Sequence, residues 1–470
     1  MMKKKQKGSM VAYGLVMMAT VSVILTAILG FISSQTTYSL RTHGREQAFQ
    51  IAESGIHFYR WYLAHQVEGR TTQQISDFWE TGSPYGVGTP YEVEYNDPSG
   101  SAIGKYRLEV TPPDSGSTSV IVKSTGWTYR YPNETRTLEV RFRRPSWSEN
   151  IVLANDFLRF GAGTETFGPI HSNYGIRFDG VAHNIISSSV SDFNDPDHTG
   201  GNEFGVHTHD SPTDPLPPAA VPARTDVFEA GRVFPVATTD FNGVLGDLNY
   251  MKSEAQSGVN GSLYFDNNRQ GRHIILKSDD TFDIRTVQSF NGGNGSSSSN
   301  QITNYYGSWQ NYPIPNDGVI FVENNVWVEG TVDGRRVTIV AANLLSASLK
   351  SVYIGKDVRY THYDCTDIIG IIGQENVEIY KGSEDDLRID AALLAQQGRV
   401  GRQHYTGAGS TKSTITIYGA IATNERYGFA WTDGTGYQTR NLYYDNNLLY
   451  CPPPYFPTGT QYEMDLWEEK

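Results

Sequence analysis

The chain has 470 residues, of which 38% are hydrophobic, 19% charged and 12% aromatic, with 47 glycines and 29 tyrosines. That mixture excludes collagen, which needs a fixed glycine period, and chain-wide disorder, because so many aromatics can bury a core; it favours strands and tight turns over helix bundles. The net charge of −13, with Lys3, Lys4, Lys5 and Lys7 confined to the extreme N-terminus, excludes a general nucleic-acid binder, whose phosphate contacts need clustered Lys and Arg.

Residues 1–8 form a basic leader ending in Gly8. Met10 to Ile32 is an uncharged apolar run. As a helix it spans about 34 Å at ~1.5 Å per residue, enough for a bilayer core of about 30 Å. The preceding lysines set the cytoplasmic side, so the body is expected outside the cytoplasm. The competing reading, a cleavable secretory signal, expects an apolar region of only about 7–15 residues and an A-x-A site, which does not follow here. The run passes into a segment where Ala48, Ile51, Ala52, Gly55, Ile56 and Tyr59 recur at three- and four-residue steps. That pattern predicts one continuous membrane-spanning and amphipathic helix over 9–66.

A basic leader ending in Gly, a long apolar helix and an A-F-x-x-A-E-x-G segment, carried by Ala48, Phe49, Ala52, Glu53 and Gly55, resemble the N-terminus of PilX-type minor pilins. The segment is also similar to the large minor pseudopilin of type II secretion. The resemblance implies cleavage by a prepilin peptidase after Gly8, leaving Ser9 as the new N-terminus. Two departures stand out: mature pilins usually begin with Phe or Met, and major pilins carry Glu at the fifth mature position, which here is Tyr13. The loss of that Glu resembles subunits placed at a filament tip. It is equally what a plain signal anchor, never cut at Gly8, would show.

Residues 67–148 read as a small β head. Tyr91, Val93 and Tyr95, then Tyr106, Leu108 and Val110, alternate with charged residues, and a turn at Pro132–Asn133 joins two further runs. Period-two alternation with such turns predicts an antiparallel layer, and it resembles the sheet that packs on a pilin helix. From 149 to 317 short apolar pairs (Ile170, Ile176, Phe178, Val181, Ile185) sit between Gly and Asn turns, as in the opening rungs of a β-solenoid. His171 and Asn173 are read as rung-edge and turn residues. The stretch around Asp195, Asp197, His198, His207, His209 and Asp210 has no recognised ligand spacing and is read as a solvated, Pro-rich insertion loop, with no metal expected. A short helix is expected near 239–255, and a flexible tip at Gly292–Asn300.

From 318 to 470 strands of four to seven residues follow one another with no room for crossover helices, which predicts a parallel β-helix; an antiparallel sandwich is the other architecture compatible with the pattern. This region resembles the C-terminal half of large PilX-like pilus-assembly proteins through Gly318–Val332, Ile389–Ala395 and the segment Tyr444–Pro457 with Trp467 beyond it. Pro452–Pro457 cannot join a sheet and is read as a latch folded over the solenoid. Cys365 and Cys451 are two free thiols or one long-range disulfide, the latter favoured by export.

The expected fold class is therefore mainly β with one long N-terminal α-helix, a small antiparallel layer and then a parallel β-helix. No GxSxG, HExxH, Walker or kinase signature is present. Asp364 with Asp367, the Glu384–Asp386 run and the His362–Cys365 pair are read as turn residues, so no catalytic group and no cofactor is expected. The chain is expected to be a non-enzymatic minor pilin-like subunit in the bacterial inner membrane and then in a pilus or at the cell surface. Its expected partners are membrane lipid, a prepilin peptidase, other pilins and minor pilins, and a surface glycan or protein ligand. The alternative is a signal-anchored β-solenoid adhesin or carbohydrate-binding protein outside any filament; a carbohydrate-active β-helix enzyme would instead gather its acids in one groove.

Overall fold

The computed structural model describes residues 9–113, 117–241, 244–293, 298–459 and 461–470. Helix α1 (Ser9–Val67) is continuous through the apolar and amphipathic segments. Its N-terminal part is exposed all round, and from Gly44 onward the positions Ala48, Ile51, Ala52, Gly55, Ile56, Tyr59, Leu63 and Val67 are buried. Steps of three and four keep those side chains on one stripe. A short helix absent from the sequence reading, α2 (Thr72–Glu80), follows, opened by a capping box in which Thr71 and Gln74 satisfy each other's amide N–H.

The buried stripe of α1 lies on an antiparallel sheet of β1 (Tyr91–Asn96), β2 (Ala102–Thr111), β3 (Ser119–Thr128) and β4 (Arg136–Arg143). Strict alternation turns Leu108, Val110, Val120, Val122, Leu138, Val140 and Phe142 toward the helix and the charged residues toward water. A fifth strand completes the sheet from the far end of the chain: Glu463–Glu469 pairs antiparallel with β4, Glu463 opposite Arg143. Trp467 on that strand meets Phe49 of α1 edge to face at 5.8 Å.

Everything from Ile151 to Pro457 is thus inserted between two neighbouring strands of one sheet. Most of this insertion is a parallel β-solenoid with one large apolar core and a small satellite cluster of Val287, Trp327 and Tyr353. One face stacks Ile320, Ile339, Ile371, Leu393 and Ile421 in register, and Ile421 is followed by Val152, Ile170 and Ile186. The chain therefore enters the solenoid in its middle. Coils from Val152 to Val233 build outward from the entry point. Residues 234–262, containing α3 (Val244–Ser257), return to the opposite end, and coils from Leu263 to Tyr444 wind back until Thr411–Thr423 rests on Val152–Ala154.

The observed class, one long helix with a dominant β region that includes parallel strands, matches the sequence reading, and α3 lies where a short helix was expected. The expected division into 149–317 and 318–470 differs from the structure in two ways. Successive coils are not neighbours in sequence order at the 421–152 junction, and the last seven-residue strand belongs to the head. Sequence spacing reveals rungs but not which rung stacks on which, because each aliphatic rung offers the same surface.

The helix lies unusually close to the sheet. A Cβ on Gly126 would sit 2.3 Å from the Ala48 carbonyl oxygen and 2.4 Å from the Ala52 nitrogen, both backbone atoms that cannot swing away. Gly126→Ala should destabilise the head by about 1–3 kcal/mol through overpacking. Denaturation of the full chain in detergent, compared with a Gly161→Ala control at an exposed glycine where a Cβ meets nothing within 4 Å, measures this.

Candidate functional site

The features that bear on function are the exposed half of α1, the seam fixing its other half to the head, and the joint between head and solenoid. Met10–Ile32 is exposed around its whole circumference, and α1 contains a window long and apolar enough to cross a membrane. Thr20 and Thr26 on this stretch, and Thr36 just beyond it, donate within the helix to the carbonyls of Met17, Ser22 and Ile32 at 3.0, 2.8 and 2.8 Å. These threonine hydroxyls therefore need no water. Gly8 lies outside the described residues. Ser9 opens α1, Tyr13 is 72% exposed on the apolar stretch, and the first turn carries no acidic side chain.

The A-F-x-x-A-E-x-G segment has a packing role at each buried position. Ala48 and Ala52 are fully buried against Gly126, Gly55 faces Ser124 and Tyr106, and Phe49 meets Trp467. Small residues on both partners let two backbones approach to near contact. Glu53 faces outward, 4.0 Å from His57.

Polar contacts tie head to solenoid. Thr72 of α2 donates to the Asp247 carboxyl of α3, and Tyr250 donates to Ser76 at 3.2 Å. Trp79 donates to the Tyr462 hydroxyl at 3.1 Å. Pro453–Pro457 is buried against the solenoid: Thr338 and Arg336 donate to the carbonyls of Pro454 and Pro452, and Tyr455 donates to Glu254 at 3.0 Å. The segment then crosses the outgoing chain, with Trp147 N–H donating to Pro457 O and Gly459 N–H to Pro145 O, both at 2.9 Å. A disulfide joins Cys365, in a turn between coils, to Cys451 at the head of the proline segment, so of the two states open at the sequence level the bridged one is present.

The acids considered for catalysis do not converge on a groove. Asp367 is buried and accepts amide N–H groups from Gly334, Arg335, Thr361 and His362, stapling two turns together. Asp364 accepts from its neighbour Thr366, and Asp385 pairs with Lys412. A separate cavity of about 640 Å³ on the solenoid is lined by Glu375, Glu378, Arg399, Gln403, His404 and Trp431. Burial pushes the Glu378 carboxyl up, yet its oxygens are occupied by Tyr405, Asn300 at 2.8 Å and Gln403 at 3.0 Å. His171 is buried beside Ser187 and Asn173, and burial pushes its imidazole down.

The polar stretch after residue 190 departs from expectation. It is solvated only in part: 196–202 and 210–213 are exposed, but Asp195, Glu203, His207 and Thr208 are buried, and strands Asp192–Phe193, Glu203–Phe204 and Val206–His207 fold them onto the solenoid. The missed signal is His207-x-His209 on an extended segment, where alternate residues share a face.

No protein-family model matches the chain, and no curated protein matches it. Among solved structures it is similar to the competence-associated pilin ComZ from Thermus thermophilus, at 11% identity and a TM-score of 0.31, over 91% of this chain and 98% of that one. A likeness of that size carries no argument.

Two predictions follow from the joint. The disulfide closes a loop of 86 residues; Cys451→Ser should lower stability by about 4.6 kcal/mol on the chain-entropy model, and reductant should reproduce the fall in Tm in the unaltered protein. Burial pushes the Asp247 carboxyl up to about 7, with Arg144 pulling the other way. An unfolded Asp titrates near ~3.9. The folded state thus holds this proton more tightly, and its contribution to stability is full below about pH 4, declines as the pH rises to about 7 and levels off above. Thermal denaturation across that range should show the decline, and Asp247→Asn should flatten it.

Proposed function

We propose that this chain is a non-enzymatic, pilin-like subunit, inserted in the inner membrane by α1 and assembled through that helix with other pilins, with the solenoid displayed outside the cytoplasm. The observation that carries the reading is the continuity of α1. One helix is bare and apolar around its circumference for Met10–Ile32, and from Gly44 onward is fixed to a β head. A helix apolar all round requires lipid or other helices as its surroundings. Rigid continuation into the head means that whatever holds the helix also orients the solenoid. Between Ile32 and Gly44 the exposed polar stretch adds about 18 Å at ~1.5 Å per residue, so the head stands off from the apolar layer.

In this role the subunit is a minor pilin that primes assembly or occupies a filament tip. Tyr13, in place of the Glu of major pilins, suits a position that needs no charge partner on the next subunit. The display surface includes the edge strand Ile302–Pro313, which carries the exposed Tyr306 and Trp309 beside Arg269 and Arg285. Exposed aromatics next to guanidinium groups suit a glycan or protein ligand. That same strand favours the second reading, an anchored adhesin outside any filament.

The test is the N-terminal mass of the chain co-expressed with a prepilin peptidase that is active on a control substrate. A chain beginning at Ser9 is the expected result. An intact Met1 start sinks filament assembly by this route and makes the anchored adhesin the better account.

A further inference from the structure

The segment folded onto the solenoid after residue 190 brings four ligand-type side chains together. Asp195, Glu203 and His207 are each at most 4% exposed, and His209 is half-buried. One donor atom from each lies within 4.8 Å of all the others. His207 Nε2 is 3.0 Å from Glu203 Oε2 and 3.6 Å from Asp195 Oδ2, and His209 Nε2 is 2.5 Å from Glu203 Oε1.

Among the described residues, three of these atoms have no hydrogen-bond partner: Asp195 Oδ2, Glu203 Oε2 and His207 Nε2. Their other polar atoms are committed. Asp195 Oδ1 accepts the Asp197 N–H at 2.8 Å. His207 Nδ1 lies 3.1 Å from the Phe204 carbonyl oxygen, which can only accept. The imidazole proton therefore belongs on Nδ1, and Nε2 presents a lone pair to two carboxylate oxygens. Three buried lone pairs converging without a donor form an arrangement that costs several kcal/mol unless a cation sits among them. Arg177 approaches without filling that role: its Nε is paired with Asp179 at 2.7 Å, and its Nη1 stands 3.5 Å from Asp195 Oδ2 without forming a hydrogen bond to it.

We propose that Asp195, Glu203, His207 and His209 bind one divalent transition-metal ion of the zinc class. Zinc–ligand bonds of about 2.0–2.2 Å at tetrahedral angles place neighbouring donors roughly 3.3 Å apart. The 3.0 and 3.6 Å separations straddle that value, whereas His209 Nε2, in hydrogen-bond contact with Glu203 Oε1 at 2.5 Å, gives up that contact to become a ligand. Two imidazoles favour Zn²⁺ and its neighbours over Ca²⁺ or Mg²⁺, which take oxygen ligands. Two carboxylates offset the dication's charge. With four protein ligands the site is closed, so the ion is structural: it staples the segment around Asp195 to the strand Val206–His207, the last rung of a three-stranded face. At His207 the Phe204 carbonyl fixes the tautomer, and Asp179 Oδ1 accepts the backbone N–H of His209 at 2.8 Å, which anchors the chain that carries this ligand. His198, whose Nδ1 is 3.4 Å from Glu203 Oε1, stands exposed at the rim.

The test uses the full chain in detergent, without a polyhistidine tag. Metal analysis of the purified protein should find zinc close to one ion per chain. After chelation, Co²⁺ should produce the visible absorption of a tetrahedral site, and Zn²⁺ should restore a Tm lowered by the chelator. His209→Asn, at the half-buried position, should keep the fold by near-ultraviolet circular dichroism while weakening Zn²⁺ at least about ten-fold. His207→Ala should abolish binding. A folded chain that carries no metal as purified and gains neither Co²⁺ absorption nor a Zn²⁺-dependent rise in Tm overturns the proposal and leaves a shared proton as the cation in the cluster. Zinc binding that His209→Asn leaves unchanged overturns the ligand assignment.

Discussion

Arg143 and Glu463 face each other across two antiparallel strands, and the whole solenoid is threaded between them. Paired strands lie about 4.8 Å apart, so the solenoid must begin and end at nearly one place. A β-helix wound from one end to the other would separate entry and exit by its full length. The chain meets the constraint by entering in the middle. Val152–Ala154 stacks on Thr411–Thr423, and Gly436–Tyr444 stacks on Glu165–Phe167, so the first and last coils are neighbours. The long return through α3, its contacts with α2, and the crossing of Pro145 and Pro457 all follow from that single requirement.

The same arrangement decides how stability is shared. Most solenoids are sums of local terms, each coil leaning on its neighbours in sequence. Here the coils on either side of the 421–152 junction are far apart in the chain, and the junction carries full backbone pairing and a continuous aliphatic row. The disulfide and the buried proline segment reinforce the side that returns to the head. The head in turn depends on the returning strand, since Trp467 covers Phe49 of α1. Helix, head and solenoid are mechanically one piece.

Much of the fold was legible because period and composition act locally. The helix is announced by its apolar run and the three- and four-residue spacing after Gly44, the head by alternation in β2, β3 and β4, and the rungs by short aliphatic strands between Asn and Gly turns. What stayed hidden depends on long-range pairing. Glu463–Glu469 has the polar alternation of an edge strand and nothing to say which sheet it joins, and Ile421 carries no mark of Val152. The metal-type cluster was hidden for a related reason. His207 and His209 share a strand face, but Asp195 and Glu203 arrive through an antiparallel turn, and the polar, Pro-rich composition reads as solvated until the backbone pairing is known.

The position of the final strand also orders events in time. Chains emerge from the ribosome at about 5–20 residues per second, so the Val152 coil waits roughly 15–50 s before its Ile421 neighbour exists. The strand that closes the head is made after that. Throughout this interval β4 presents an unpaired edge and the entry coil an uncovered apolar face, both of which invite association with other chains. A chain of this design stays open to association until its last strand is made, and one cut short by its last ten residues would leave β4 an open edge and Phe49 without its Trp467 cover.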